Sequence, residues 1–420
     1  MKENSLVIKK TKIEQKIITN YYEVYGEWKQ FFLDDREFVV EYSCSIGNVN
    51  PSIANIPFIT NILPMAWLFD AELFIEEIDD DFFQCLPELK SGYMNMYPDM
   101  KFKGKVSPKR VVVNEKLNID GSACMFSGGA DAFHTMISHL EEKPDLVAIW
   151  GADVKVNNTS AWEIVESHIA KTAKLNKLNN ITIKSYFRAI IKEEALSEFV
   201  LPLSGDNWWH GFQHGIGLLG HVAPYAYEYK VGTIYIASSF TEAQKGQYTC
   251  ASDPMIDNQL KFCGCSVIHD GYNYTRQEKI NHICKFSKNN DYTPNLRVCW
   301  CSKTGGNCCS CEKCIRTILA IYAEKQNPQE YGFEYSDKEF KGIISNFRYK
   351  LRITSKEIGA LRYAPIQNAI RRNYSLTEVD KRLKWFYNIN IDKIKKTMYV
   401  CISTLVWQVS WKLKSGFRKK

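Results

Sequence analysis

A glycine turn at residues 127–132 is one segment of the 420-residue sequence whose residue types could do chemistry. It lies between a strand-like run that ends at Phe126 and an apolar, periodic stretch that starts at Phe133, and it reads Ser127-Gly128-Gly129-Ala130-Asp131-Ala132. Glycines at a strand-to-helix turn let backbone N–H groups approach an anion, and the positive end of the helix stabilises that charge. The turn therefore predicts a phosphate site. Asp131 could cap the helix or hold magnesium. The alternative for the segment as a whole is a tight turn that binds no ligand.

A cysteine cluster is the second such segment, since six of the fourteen cysteines fall between Cys299 and Cys314. Four of them have the spacing C-x8-C-x2-C-x2-C and are Cys299, Cys308, Cys311 and Cys314. Close pairs of thiolates across tight turns can close a tetrahedron around zinc, and four of them leave no position open for catalysis. We therefore predict a structural zinc site. Cys301 and Cys309 could replace one ligand, and an iron–sulfur cluster or unligated thiols are the alternatives.

A third candidate site is a set of histidines at helical spacing, in a segment that starts with Trp208 and Trp209. His210, Gln213, His214 and His221 would share one face of a single helix and line a nucleotide or substrate pocket. Ordinary packed histidines are the alternative, and a second metal site is disfavoured because no carboxylate stands at ligand spacing. Asp153 follows a strand-like run, where adenine or ribose would approach, or is a plain loop acid.

Three further cysteines, Cys250, Cys263 and Cys265, lie outside the zinc spacing. One of them could act as a thiol nucleophile, although no neighbouring base is visible in the sequence.

The elements that must position these residues alternate as strands and helices from Ser122 onward, which predicts a parallel α/β sheet. The predicted strands are 123–126, 146–150, 181–186, 233–237 and 267–269. The predicted helices between and after them are 131–142, 159–176, 211–229, 275–286 and 311–325. The fold class is therefore an open, parallel five-stranded α/β sheet with helices on both faces and a zinc-bound cysteine loop.

Two flanking regions complete the predicted organisation. Residues 1–118 form an α+β extension, residues 119–327 the phosphate-binding domain, and residues 328–420 a helical region that includes helices at 354–363 and 376–387. Between residues 351 and 420 sixteen Lys and Arg face four acids, a net charge of +12 that leaves about −5 for the rest of the chain. Such a basic helical region is expected to bind RNA, an acidic partner or an anionic membrane surface. The alternative is a solvated helical cap that binds none of them.

Composition excludes several classes of protein. With 45% apolar and 24% charged residues, the chain is expected to be globular rather than disordered. No uninterrupted apolar run follows the basic N-terminal residues, and the apolar segment 398–411 falls short of the roughly 20 residues that a membrane-spanning helix needs. We therefore predict a cytoplasmic protein, with peripheral contact to a membrane left open.

The glycine turn resembles the S-G-G-x-D-S signature of the PP-loop ATP pyrophosphatases, with Ala132 in place of the final serine. The resemblance implies a HUP-type fold and an enzyme that uses Mg2+ and cleaves ATP to AMP and pyrophosphate. It also implies that residues 127–132 bind ATP, with Asp131 as a catalytic residue. The lost hydroxyl removes one phosphate donor and leaves the backbone cradle intact.

Within that superfamily, the cysteine spacing is similar to that of the 7-cyano-7-deazaguanine synthases, with Cys309 in place of a glycine. Residues 274–280 resemble a helix-opening segment of those enzymes, and Arg276 takes the place of its lysine, which implies a catalytic cation for the ATP phosphates. The resemblance covers about residues 120–325. The substrate-side positions differ from the family, and the candidates there, which include the histidine positions, are His210, Gln213, His214, Ser238, Ser252 and Asp253.

These observations favour an ATP-dependent ligase-like enzyme that adenylates an acceptor, expected to be a carboxylate, for amidation or related nitrogen transfer. The expected partners are a small-molecule acceptor and ammonia or an amine, with a homodimer left open. Two alternatives come from other classes. One is a tRNA-modifying PP-loop enzyme whose basic C-terminal region binds RNA, and the other is a nucleotide-binding module without catalysis.

Overall fold

The computed structural model describes residues 3–33, 37–115, 120–299, 301, 304–354 and 356–394. The chain divides into two compact units, Met1–Tyr274 and Thr275–Lys420. The sequence-based boundaries at 118/119 and 327/328 do not coincide with this division. Over the described residues, no helix is long and apolar enough to cross a membrane, and the segment 398–411 lies outside them.

An eleven-stranded, mostly parallel sheet forms the first unit. Its strands are β1 Ser5–Ile13, β2 Ile17–Tyr25, β3 Glu37–Tyr42, β4 Glu72–Asp79, β5 Lys105–Val112, β6 Gly121–Met125, β7 Asp145–Trp150, β8 Asn180–Ser185, β9 Val231–Ala237, β10 Lys261–Phe262 and β11 Cys265–Asp270. Their spatial order is β10-β11-β9-β6-β7-β8-β3-β2-β1-β4-β5. The α/β class is confirmed, and the expected five-stranded sheet is wrong.

The five predicted strands nevertheless lie side by side, in the order β11-β9-β6-β7-β8, and each neighbouring pair is parallel. The sheet is larger because β8 does not form its edge. Instead, β3 pairs with β8 in antiparallel orientation, from Val40 opposite Ser185 to Tyr42 opposite Ile183. Pairing satisfies the N–H and C=O groups that an edge strand would leave open. Strands β1–β5 therefore extend the sheet on this side, and β10 adds a short strand at the other end.

Helices of the first unit include several short ones. They are α1 Pro51–Ala54, α2 Ile56–Leu68, α3 Asp80–Met96, α4 Ala130–Ser138, α5 Thr159–Asn176, α6 Glu193–Ser204, α7 Ile216–Leu219, α8 Ala223–Tyr229 and α9 Pro254–Asp257. Short 3-10 turns cover Glu27–Phe31, Leu140–Glu142, Gly220–Val222 and Glu242–Gln244, and a π-helical turn covers Trp209–Gln213. The predicted helix 159–176 matches α5. The predicted helix 211–229 is divided into short pieces.

Helix α2 lies in the core of the first unit, and all its residues except Leu68 are buried. A helix that is apolar on every side needs protein around it rather than water. Its two polar residues are satisfied locally, because Asn61 donates to the carbonyl oxygens of Pro57 and Gly217, and Thr60 donates to that of Ile56. The N-terminal region thus supplies part of the hydrophobic core.

The second unit is helical over its described residues. Its helices are α10 Arg276–Asn289, α11 Glu312–Ala323, α12 Asp337–Ile353, α13 Lys356–Asn373 and α14 Lys384–Asn388, with 3-10 turns at Pro328–Tyr331 and Ile391–Lys393. The predicted helix 376–387 is wrong over residues 376–383. There the backbone N–H of Arg382 donates to the Asp380 side chain, a local bond that competes with helix formation. Residues 395–420, which carry part of the predicted basic region, lie outside the described residues.

Candidate functional site

The glycine turn follows β6 directly and leads into α4. Gly128 has a φ of 78°, in the left-handed region that glycine adopts without strain. Gly129 is the N-cap of α4, and its backbone N–H donates to Ser127 Oγ at 3.4 Å. The first N–H groups of a helix have no partner within the helix. An exposed Ser127 and the start of a nine-residue helix therefore present donors suited to an anion.

The position of the turn within the sheet is as informative as its shape. The strand order reverses between β6 and β9, which lie next to each other and run parallel. Ligands of open α/β sheets bind outside the carboxyl ends of the strands at such a reversal. Ser127 follows the end of β6, and Ser238 follows the end of β9, with its Oγ donating to the carbonyl oxygen of Phe240 at 2.8 Å. Both therefore follow the carboxyl ends of the neighbouring strands β6 and β9, and we call this edge of the sheet the crevice.

Asp270, at the end of β11, anchors helix α4. Thr135 Oγ1 donates to Asp270 Oδ2 at 2.7 Å, and His139 Nε2 lies 3.3 Å from Asp270 Oδ1. The His139 ring also stacks on Tyr235 of β9 with centroids 3.7 Å apart. These residues were not predicted from the sequence, because contacts that span more than 130 residues leave no local spacing signal. They fix the helix whose N-terminus forms the crevice.

Beside the crevice, Gly151 and Asp153 follow β7. Gly151 has a φ of 119°, and a Cβ there would lie 2.1 Å from the carbonyl oxygen of Ser185. Only glycine fits this close approach. Asp153 is exposed in the loop that this turn begins. The loop leaves the carboxyl end of β7, the strand next to β6.

The structure does not place the four predicted face residues on one helix. Gly215 has a φ of 68° and interrupts the helical path after the π-helical turn, so the spacing rule for one regular helix does not apply. The ring centroids of His210 and His214 lie 6.5 Å apart. Gln213 and His221 are instead fully buried. Gln213 bonds Trp208 and Asn61, and His221 has its Nε2 2.7 Å from Ser185 Oγ.

His210 is held by the carboxylate of Asp206, a residue that was not predicted from the sequence. Its Nδ1 lies 2.5 Å from Asp206 Oδ2, which also accepts a hydrogen bond from Thr249 Oγ1 at 3.2 Å. The hydrogen bond to Asp206, and then one to Cys250, raise the pKa of His210 to about 10. The ring is therefore protonated at neutral pH. The statement that no carboxylate stands at ligand spacing was therefore wrong, because Asp206 precedes His210 by four residues, and this spacing was the available signal.

Ser252 and Asp253 have structural partners. Ser252 Oγ donates to Asp257 Oδ2 at 2.7 Å, and the same oxygen lies 2.8 Å from His269 Nδ1. Burial raises the pKa of Asp257. Asp253 caps α9 by accepting a hydrogen bond from the backbone N–H of Met255. Their predicted role in substrate binding stays a prediction.

In the second unit, the ligand atoms of Cys299, Cys308, Cys311 and Cys314 all lie within 4.8 Å of one another, so these thiols could hold a metal ion such as zinc. Cys311 Sγ accepts the backbone N–H of Cys314. The pKa of the Cys311 thiol is lowered, first by a hydrogen bond with the Cys314 thiol and further by this backbone bond. Metal ligation requires the thiolate form. The neighbouring Cys309 instead directs its thiol to the carbonyl oxygen of Glu334, and the exposed Cys301 lies outside the group of four.

Arg276 begins α10 in the second unit, directly after the N-cap Thr275. Thr275 and Glu278 form a capping box, in which the Thr275 hydroxyl accepts from the Glu278 N–H and the Glu278 side chain accepts from the Thr275 N–H. This local pattern explains why the helix starts here. Asp131 lies in the first unit, so the shared catalytic role of Asp131 and Arg276 stays a prediction.

Comparison with known proteins found no match to a family model, to a curated protein or to a solved structure. The resemblance noted from the sequence therefore depends on three short segments, residues 127–132, 274–280 and 299–314. The two features whose geometry bears on function are the crevice and the cysteine cluster.

Proposed function

We propose that the crevice between β6 and β9 binds Mg-ATP and that the protein cleaves ATP to AMP and pyrophosphate. The AMP is transferred to an acceptor carboxylate, which is then amidated or modified by a related nitrogen donor. The observation that carries this proposal is the place of the 127–129 turn, at the carboxyl end of β6 where the strand order reverses. The HUP-type assignment of the five central strands belongs to the same proposal.

Each proposed role follows from the chemistry of the residue. The backbone N–H groups of the turn and of the first turn of α4 would bind the pyrophosphate oxygens. Asp131 would hold Mg2+, which neutralises charge on the phosphate oxygens. Ala132 offers only its backbone N–H. The resemblance alone assigns the phosphate cation to Arg276 and the nucleoside contact to Asp153, and it also suggests zinc as a structural ion for the four cysteines.

The test is release of AMP and pyrophosphate from Mg-ATP by purified protein, with and without a pooled metabolite extract. We expect Asp131→Asn to lower the rate of AMP release by about 100-fold or more, because a lost electrostatic contact to the transition state has effects of that order. The matched control is Glu141→Gln, which removes one exposed carboxylate near the end of the same helix. A full rate in Asp131→Asn would refute the proposed role, and ATP binding without AMP would favour a binding module.

A groove on the second unit favours RNA as an additional ligand, as expected for the tRNA-modifying alternative. Its cavity of about 560 Å3 is lined by Arg348, Arg352, Lys393 and Trp385, among others. The Arg348 guanidinium lies 4.5 Å from the centroid of the Trp385 ring. Cations beside an aromatic ring suit single-stranded RNA, since the cations contact phosphates and the ring stacks with bases.

For this second candidate, we expect the double variant Arg348→Gln/Arg352→Gln to weaken tRNA binding. The slope of log affinity against log salt should fall by about 1–2, because two phosphate contacts are lost. Fluorescence anisotropy with labelled tRNA between low and moderate salt measures both effects. The control Lys338→Gln removes an exposed charge from the first turn of α12, away from the groove lining. Equal loss in both proteins would mean that this groove is not the RNA site.

A further inference from the structure

Arg188, in the turn that follows β8, joins three other parts of the first unit. Its Nη1 donates to the carbonyl oxygen of Ala152 at 2.7 Å. Its Nε and Nη2 donate to the two carboxylate oxygens of Glu193, the first residue of α6, at 2.6 and 2.5 Å. Its guanidinium carbon lies 4.5 Å from the centroid of the Trp209 ring. One side chain therefore contacts the loop after β7, the start of α6 and the π-helical turn.

These contacts fix the orientation of the guanidinium. Two parallel hydrogen bonds to one carboxylate define the plane of the group, and the Trp209 ring packs against it. The side chains of Arg188 and Glu193 are 30% and 25% exposed, so salt screens this ion pair less than it screens a pair on the surface. The remaining donor, Nη1, is therefore held toward the carbonyl oxygen of Ala152.

The loop that Arg188 binds is a tight turn after β7. The backbone N–H of Gly151 donates to the carbonyl oxygen of Val154 at 3.1 Å, which closes the turn. Arg188 binds this turn from the end of the neighbouring strand β8, at the carbonyl oxygen of Ala152. The next residue is Asp153, whose side chain is exposed. The position of Asp153 therefore depends on a contact made by the residue before it.

The same loop lies next to the proposed phosphate site. A nucleotide with its phosphates at the 127–129 turn that lies along the carboxyl edge of the sheet extends past one of the two neighbours of β6, namely β7 or β9. On the β7 side, the loop at that strand end is the one that carries Asp153. Trp209, the other contact of Arg188, is followed by the 38% exposed side chain of His210. Arg188 thus connects the Asp153 loop to the turn that contains His210.

We propose that Arg188 is a positioning residue that orders the 151–154 loop for the nucleoside of a nucleotide whose phosphates lie at the 127–129 turn. It acts through the carbonyl oxygen of Ala152, while Glu193 and Trp209 hold its guanidinium in place. A loop that is ordered before binding does not have to lose conformational freedom when the ligand arrives, and the affinity is higher for that reason. The nucleoside role rests on the proposed function, whereas the ordering of the loop by Arg188 does not.

The first experiment measures amide hydrogen exchange in the full-length protein without nucleotide. In Arg188→Gln we expect the amides of residues 151–156 to exchange about 10-fold faster, because a charge-assisted hydrogen bond that opposes local opening is lost. The control is Lys192→Gln, which removes an exposed cation four residues away whose side chain makes no capping bond to α6. Unchanged exchange in Arg188→Gln, or an equal increase in both variants, would overturn the proposal.

The second experiment compares the affinities for Mg-ATP and Mg-pyrophosphate by isothermal titration calorimetry. We expect Arg188→Gln to bind Mg-ATP about 10-fold more weakly. Its affinity for Mg-pyrophosphate should not change, because this ligand has no nucleoside to contact the loop. Glu193→Gln keeps the guanidinium and its partner Ala152, so it should show a smaller effect of the same kind.

The outcomes separate this proposal from the proposed function. Equal affinity for Mg-ATP in Arg188→Gln and wild type would overturn the positioning role alone. Equal weakening of both ligands would indicate a general loss of structure and would also count against it. A wild-type protein that binds no Mg-ATP would contradict the proposed function and the nucleoside role with it, and the exchange experiment then decides whether Arg188 orders the loop.

Discussion

We expect Cys311→Ser to abolish metal binding by the four-cysteine group and to unfold much of the second unit. Cys311 contributes its thiol to the four-cysteine group, caps α11 and accepts the backbone N–H of Cys314. Structural zinc sites contribute folding free energy directly, about 10–16 kcal/mol of apparent binding energy in small zinc domains. We expect the zinc content to fall from about one ion per chain to none. Elemental analysis and thermal unfolding measure the two effects.

The adjacent cysteine supplies the control. Cys309 is one of the six clustered cysteines, but its thiol contacts the carbonyl oxygen of Glu334. Cys309→Ser should therefore keep the metal ion and change stability by only about 1 kcal/mol. A Cys311→Ser protein that keeps its zinc and folds normally would contradict the metal assignment. Equal zinc loss in both variants would mean that the ligand set is wrong.

Acid destabilisation of the first unit is expected to depend on His221. Burial lowers the pKa of this fully buried ring from 6.5 to about 4. Between these values the unfolded chain binds a proton that the folded chain does not, so stability falls as pH decreases from about 6.5 to about 4. The shift corresponds to roughly 3 kcal/mol of unfolding free energy. Urea unfolding at several pH values measures this slope.

His221→Gln should lower stability at pH 7 and flatten the slope in this window, because no imidazole remains to titrate. Ser185→Ala is the matched control, since Ser185 Oγ lies 2.7 Å from His221 Nε2. It removes a partner and keeps the buried ring, so the steep slope should persist. An unchanged slope in His221→Gln would show that other groups cause the acid sensitivity.

The cysteine cluster shows what local spacing can predict. Cys299, Cys308, Cys311 and Cys314 come together as a possible metal site, since ligands within sixteen residues need only one loop and one helix start. The five strand runs and helix α5 were likewise placed within a few residues. The glycine turn was located for the same reason, because glycine at positive φ is a backbone requirement visible in one short segment.

Local residue patterns thus predict short-range features, namely the strand runs, the turn at Gly128 and the cysteine group. The pairing of β3 with β8, and with it the eleven-stranded sheet, depends on contacts between distant parts of the chain. Two further features depend on the tertiary structure, namely the interruption of the histidine face at Gly215 and the anchoring of α4 by Asp270. The difference lies in the sequence separation of the interacting residues. Backbone preferences act between near neighbours in the chain. Strand pairing and side-chain packing join residues far apart in the chain, so these contacts depend on how the whole core is packed.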